Sequence, residues 1–387
     1  NEYIFIIRVS AWEYSTPCTT RSDMAVEALF YLGHPAHFHL FRFAIKGMKP
    51  EQVVVCIKSK DVLEQLLKEA GIEYINIDSA GKKKSGMLSL AMAVAKRTFT
   101  LAKIIRKHKP ARLMGSTAEL SVLGKFFGIP SFIFFEDDLQ YVPSYAKLVG
   151  PAASYLICPD CCSAWKWDQK KLSYSSYHEL AYLHPNHFTP DPSRVPLFSD
   201  PSYKKFILRF SDLGAYHDVG MTGMTDDVAM RIIQRLEKEG RVFITSERPL
   251  PPQFESYRIS IRASDIHHAM AYADLFLGDS QTMTAEAAVL GTPALRYNDW
   301  VGKLGYLEDL EHKYGLTYGI PTGNVEQLFA KLEELLSVKN LREEWQKKRS
   351  FMLSEKSDFE KCISWILKCD PKNRSQIAEI AQTDRFH

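Results

Sequence analysis

Short apolar runs alternate with amphipathic stretches along this chain, and the alternation predicts strand–helix–strand units. The run Ala28–Leu32 predicts a strand, followed by the turn Gly33-His34-Pro35. His34 can cap the next helix, and Pro35 suits its first position. That helix runs to about Met48, with Leu40, Phe41, Ala44 and Met48 on one face. Residues 52–57 read as a valine-rich strand, Asp61–Ala70 as a helix ended by Gly71, and 73–77 as a third strand. A loop at 81–86 leads into a long helix, Met87–His108, stopped by Pro110. Strands at 112–114 and 131–135 flank a helix at Ala118–Phe127, and 154–157 reads as the last strand of this half.

Residues 159–203 break the rhythm, with several prolines and no clear period, as chain joining two domains does. The alternation then resumes. Strands are expected at 205–210, 242–245, 273–277 and Ala294–Tyr297, with helices at 226–239 and 265–272. Further helices are expected at 301–314, 325–336, 341–350 and 358–368, and the last residues, 369–387, read as a polar, frayed tail. The fold class is α/β: two Rossmann-like, doubly wound parallel-sheet domains, 24–158 and 204–338, with a ligand in the cleft between them. No fixed period marks a sequence repeat.

The most informative stretch runs from Gly278-Asp279-Ser280 to Gly291-Thr292-Pro293. Ser280 is a good N-cap, and the free N–H groups and positive dipole end of the helix it opens suit a phosphate or diphosphate. Thr282 and Glu286 are four apart and share a helix face. A carboxylate one turn in from a phosphate is well placed to accept both hydroxyls of a ribose. Ala285 and Ala288 let the helix lie close on a sheet. The plainer alternative is an ordinary capped helix with an exposed Glu286.

Length and charge narrow the picture. A chain of 387 residues is too long for one core. A net charge of +3 gives no nucleic-acid footprint. No apolar run approaches the roughly 20 residues that span a bilayer. The odd, scattered set of seven cysteines suits a reducing cytoplasm. Residues 1–23 are expected to be an extension that adds nothing to the fold.

From Met24 to about Lys368 the chain resembles the GT-B superfamily. That group includes the lipid-linked N-acetylglucosaminyltransferase of peptidoglycan synthesis, the UDP-N-acetylglucosamine 2-epimerases and a domain-of-unknown-function family, to which the resemblance is greatest. The resemblance rests on Gly33-His34-Pro35-Ala36-His37, Gly128-Ile129-Pro130-Ser131 before Glu136-Asp137-Asp138, the segment from Ser211 to Asp218, and the 278–293 stretch. It implies a glycosyltransferase-like enzyme of polysaccharide biosynthesis, with a UDP-sugar donor on the second domain and a glycan or lipid-linked acceptor on the first. Ser280 and Thr282 would meet the diphosphate and Glu286 the ribose. Helices in 339–368 would pack back across the joint, and no metal or other cofactor is expected. The alternatives are a 2-epimerase and a non-catalytic nucleotide-sugar-binding protein. Against epimerisation, the chain lacks the His-Val-Glu-Ala-Gly-Leu-Arg motif of those enzymes.

Ligands of open α/β sheets lie beyond the carboxyl ends of the strands, which singles out His34, Ser116 and the Glu136-Asp137-Asp138 cluster. His34 suits a general base for the acceptor hydroxyl, with His37 a turn deeper; capping and packing are the alternatives. Clustered carboxylates raise one another's pKa, so Glu136, Asp137 and Asp138 are candidate acid/base groups, or else a solvated acidic turn. Ser211, Tyr216, His217 and Asp218 are expected near the donor phosphates, unless they form a surface loop. Arg296 either pairs with phosphate or forms a salt bridge with Glu286 or Asp299. The cysteines of Cys158-Pro159-Asp160-Cys161-Cys162 lack a second ligand pair for zinc, and His178, His184 and His187 are not expected to bind metal; His178-Glu179 is expected to line the cleft. Lys82-Lys83-Lys84 reads as a solvated loop; the alternative is peripheral contact with an anionic membrane, at about 3 kcal/mol for three lysines.

Overall fold

Strand pairing in the computed structural model is parallel throughout two sheets. The structure describes residues 26–58, 61–77, 87–211, 223–382 and 385–386. The expectations for 1–23, for Lys82-Lys83-Lys84 and for Tyr216, His217 and Asp218 lie outside these residues.

The first sheet has seven strands in the order β3-β2-β1-β4-β5-β6-β7. They are β1 (Ala28–Leu32), β2 (Val53–Ile57), β3 (Ile75–Asn76), β4 (Arg112–Gly115), β5 (Ser131–Phe134), β6 (Tyr155–Pro159) and β7 (Lys171–Tyr174). Between them run α1 (Pro35–Lys46), α2 (Asp61–Ala70), α3 (Met87–His108), α4 (Ala118–Phe127) and α5 (Pro143–Ala152). The central strands are buried from end to end, which is why β1 reads as an unbroken apolar run. Contrary to expectation, β6 is not the last strand, because β7 pairs with it from Leu156↔Lys171 to Pro159↔Tyr174. β7 alternates half-buried and buried positions over four residues, too short a run to stand out among the prolines around it.

A four-residue helix, α6 (Pro196–Ser199), precedes the second sheet, whose strand order is β12-β11-β10-β8-β9. Its strands are β8 (Lys204–Phe210), β9 (Gly240–Ser246), β10 (Leu275–Gly278), β11 (Ala294–Tyr297) and β12 (Thr317–Ile320). The helices are α7 (Asp226–Leu236), α8 (Ile266–Tyr272), α9 (Gln281–Leu290), α10 (Gly305–Glu308) and α11 (Val325–Ser337). The helix expected over 301–314 is only α10, continued by a wide turn at Asp309–Lys313.

Three helices close the chain: α12 (Leu341–Glu355), α13 (Phe359–Lys368) and α14 (Arg374–Ile377). α12 lies on α9, whereas α13 packs on α1 of the first half. The tail is not frayed: Ile377, Ile380 and Phe386 are buried, and the Phe386 ring lies 6.4 Å from that of Trp365. Spacing of three puts Ile377 and Ile380 on one side of a short helical turn, a signal diluted by the polar residues around it.

Strand order reverses between β1 and β4 in the first sheet and between β8 and β10 in the second. Such switch points open a crevice beyond the carboxyl ends of the strands. Gly33, His34, Ser116 and Thr117 therefore flank one crevice, and Ser211, Asp279 and Ser280 the other.

Candidate functional site

Helix α9 is built as its sequence predicts. The Ser280 hydroxyl accepts the Met283 N–H at 3.3 Å, and Gly291 ends the helix in the left-handed region at φ 73°. Gly278 precedes it where a Cβ would lie 2.7 Å from the Cβ of Arg209, so only glycine lets β10 and β8 approach at the switch point. Asp279 then pins the strand ends together. Its Oδ1 accepts from Ser211 N at 2.7 Å, its Oδ2 from Met224 N at 3.3 Å, and its carbonyl from Asn298 Nδ2 at 2.8 Å. Among the described residues, the first-turn N–H groups of Gln281 and Thr282 have no protein acceptor. They form the kind of helix end that takes an anion.

Glu286 is buried rather than solvent-facing, with 4% of its surface exposed. Its Oε1 accepts from the Tyr182 hydroxyl at 2.8 Å and meets His267 Nε2 at 2.9 Å. Among the described residues none donates to Oε2. Behind this pair, His39 stacks on Tyr182 with ring centroids 5.2 Å apart and meets His267 edge-on at 4.8 Å. Burial first, then the neighbouring His267, holds the His39 imidazole well below its usual range, so it is neutral.

On the first sheet, the loop after β5 carries the acidic cluster, and its members part company. Glu136 Oε1 accepts the backbone N–H of His178 at 2.7 Å, and its Oε2 lies 3.4 Å from His178 Nδ1. Burial, then the charge of Glu179, pushes the Glu136 carboxyl well above the usual carboxylate range. Glu179 is pushed up to about 8 by burial, and its Oε2 is buried without a partner. His178 stacks on Phe359 at 5.6 Å; burial lowers its imidazole to about 3, and its Nε2 has no hydrogen-bond partner. The Tyr306 hydroxyl, from α10 of the other half, feels Glu136, Glu179, Asp137 and Arg296. The loop after β5 thus lies against α10 of the second half.

Asp138 turns the other way. Its Oδ1 accepts from Ser163 N at 2.8 Å and its Oδ2 from Gly305 N at 2.7 Å, which ties the β5 loop to α10. Burial raises its pKa while those two N–H groups pull it down. His34 caps α1 through Nδ1, which accepts from Ala36 N at 3.2 Å. His37 accepts the Gly33 N–H at 3.1 Å through its own Nδ1. The Ser116 carbonyl accepts the Tyr145 hydroxyl at 3.0 Å. Arg296 is 1% exposed, and its ion pair is with Glu308, at 3.4 Å, not with Glu286 or Asp299. Its Nη1 is buried with no acceptor.

His184 and His187 serve a structural role. His187 and Asn186 hold the Asp358 carboxylate that caps α13, at 2.8 and 2.9 Å. The Cys162 thiol reaches the Glu136 carbonyl at 3.1 Å. Among the described residues no group of three or more potential ligands could hold a metal ion. No described helix is long and apolar enough to cross a membrane. Sequence reasoning missed Tyr182, His267, His39 and Tyr306, none of which sits in a motif; only the fold brings them to Glu286 and Glu136.

No protein-family model and no curated protein matches the chain. Solved structures do. An S. aureus MnaA–UDP complex matches with a TM-score of 0.62 and 14% identity, over 88% of this chain and 96% of that one. The UDP-GlcNAc 2-epimerase from Neisseria meningitidis bound to UDP-GlcNAc gives 0.57 and 14%, over 88% and 98%. The spinosyn rhamnosyltransferase SpnG with thymidine diphosphate gives 0.57 and 12%, over 86% and 97%. Identity this low speaks to architecture. The chain has the GT-B fold, two Rossmann-like domains facing one cleft.

Proposed function

We propose that this protein is a glycosyltransferase-like enzyme that moves a sugar from a UDP-linked donor to a glycan or lipid-linked acceptor. One observation carries the reading. Helix α9, with its open amino end and buried Glu286, packs against the turn that carries His178 and Glu179 and holds Glu136, a set of buried titratable groups. Solved structures of the same fold, in complex with UDP and with thymidine diphosphate, support it.

In this reading the N–H groups of Gln281 and Thr282 hold the diphosphate, with Asp279 and Ser280 setting their direction. Glu286 Oε2 accepts the ribose hydroxyls while Tyr182 and His267 fix Oε1. The acceptor oxygen bonds to the anomeric carbon as the bond from that carbon to the diphosphate breaks. The acceptor proton passes to the ionised form of Glu136, whose raised proton affinity makes that carboxylate a stronger base. The helix end and the Arg296 guanidinium meet the charge that develops on the leaving diphosphate. No metal is invoked.

A second reading, a nucleotide-sugar 2-epimerase, is favoured by one feature. Glu136 and Glu179 are adjacent buried carboxyls, both with raised proton affinity, a pair able to remove and return a proton. Incubation with UDP-N-acetylglucosamine, with and without glycan acceptors and followed by NMR, separates the readings. UDP release that requires an acceptor supports transfer. N-acetylmannosamine or its nucleotide formed without acceptor supports epimerisation. Binding without turnover under either condition rejects both in favour of a nucleotide-sugar-binding protein.

A further inference from the structure

A cavity of about 430 Å³ is lined by Arg42, whose guanidinium lies 5.9 Å from the ring of Tyr182. Arg42 and Lys46 of α1 form one side of it. Arg194 and Arg262, from or beside short turns that pack on α8, form the other. Its apolar walls are Phe38 and Phe43 of α1 and Leu66 of α2. The charges do not balance. Arg194 and Arg262 share a single carboxylate, Asp265, with Arg262 Nε 2.8 Å from its Oδ2. Glu69 is the only acid on the lining among the described residues. Arg42 stacks over the Phe43 ring at 4.7 Å, reaches His39 Nδ1 through Nη1 at 3.3 Å, and leaves its buried Nε without an acceptor. Four cations and one acid thus line an opening with aromatic walls.

We propose that this cavity is a second ligand site, separate from the sugar-nucleotide cleft, for a small phosphomonoester dianion bearing an aromatic or other apolar group. The excess of cations over acids on the lining suits a phosphate, and guanidinium groups from opposite sides match its oxygens. The rings of Phe38 and Phe43 match the apolar group. A ligand held there spans α1 and the segment before α8, and so bridges the two halves of the molecule.

Phenyl phosphate, titrated calorimetrically into the full chain, tests the assignment, with inorganic phosphate and UDP as parallel titrants. The variant is the double substitution Lys46→Gln and Arg262→Gln; both residues are exposed, Arg262 to 64%, so folding is preserved. Phenyl phosphate is expected to bind more tightly than inorganic phosphate, and the double variant to weaken it by about tenfold or more while UDP affinity stays unchanged. Absence of phenyl phosphate binding, equal affinity in the double variant, or one-for-one displacement by UDP overturns the proposal. The UDP titration keeps the two sites apart. Phenyl phosphate binding without UDP binding rejects the donor-site reading and leaves this one standing.

Discussion

Tyr182 donates its hydroxyl hydrogen bond to Glu286 across 104 positions of sequence, at 2.8 Å. The contact joins the irregular middle of the chain to the helix assigned to the donor nucleotide. It fixes one carboxylate oxygen and leaves the other without a donor among the described residues. Tyr182→Phe removes that donor without changing the packing of the ring. It is expected to lower stability by about 1–2 kcal/mol in chemical denaturation and to weaken UDP binding, because Glu286 gains freedom to turn. Unchanged UDP affinity in this variant places the ribose elsewhere.

The neighbouring groups His178 and Glu179 set opposite pH limits on stability. Burial lowers His178 from 6.5 to about 3, so between these values the unfolded chain binds a proton that the folded chain refuses. Its contribution is complete above 6.5 and is lost as pH falls toward 3. Burial raises Glu179 from 4.5 to about 8, so there the folded chain keeps a proton that the unfolded chain releases. Its contribution is complete below 4.5 and is lost as pH rises toward 8. Glu179→Gln is expected to flatten the alkaline fall, and His178→Gln the acid fall, in melting curves taken across this range. Parallel curves for the parent and both variants contradict this account.

Asp138 shows how the structure divides a cluster that the sequence presents as one. Its carboxylate accepts two backbone N–H groups, from Ser163 and from Gly305 of the other half. An amide in its place turns an NH₂ toward one of those donors. Asp138→Asn is therefore expected to destabilise by about 1–3 kcal/mol, measured by denaturant unfolding, through an unmet buried N–H. Glu136→Gln, by contrast, is expected to abolish turnover. An Asp138→Asn protein as stable as the parent rules out the tie.

Much of this fold was legible because its local signals agree. The apolar run of β1, Pro35 opening α1, Ser280 capping α9 and Gly291 closing it each specify a boundary through the chemistry of one or two residues. β7 and α5 were not legible. β7 is four residues long, and α5 carries Gly150 and Pro151 at its end, so each departs from the pattern of its class. The candidate site divides in the same way. Ser280 and Glu286 follow from helix geometry alone. Tyr182, His267 and Tyr306 reach the site only through tertiary packing, and no spacing in the chain encodes that. The acidic run Glu136-Asp137-Asp138 was visible, but neighbouring side chains on a loop point different ways, so their roles needed the fold.

The tail offers a simple check on its unexpected packing. Ile380 is 1% exposed beside Ile377 and near β7. Ile380→Ala is expected to lower stability by about 2–5 kcal/mol in denaturant unfolding, the range for deleting a buried aliphatic side chain. A change near zero returns the tail to the frayed state that its polarity implied.

Calorimetric titration of UDP into the parent protein and Glu286→Gln tests the central claim most directly. The account predicts saturable binding to the parent and a loss of about tenfold or more in the variant, which keeps the shape of the side chain but not its charge. Equal affinity in the two proteins, or no binding of UDP to either, contradicts it.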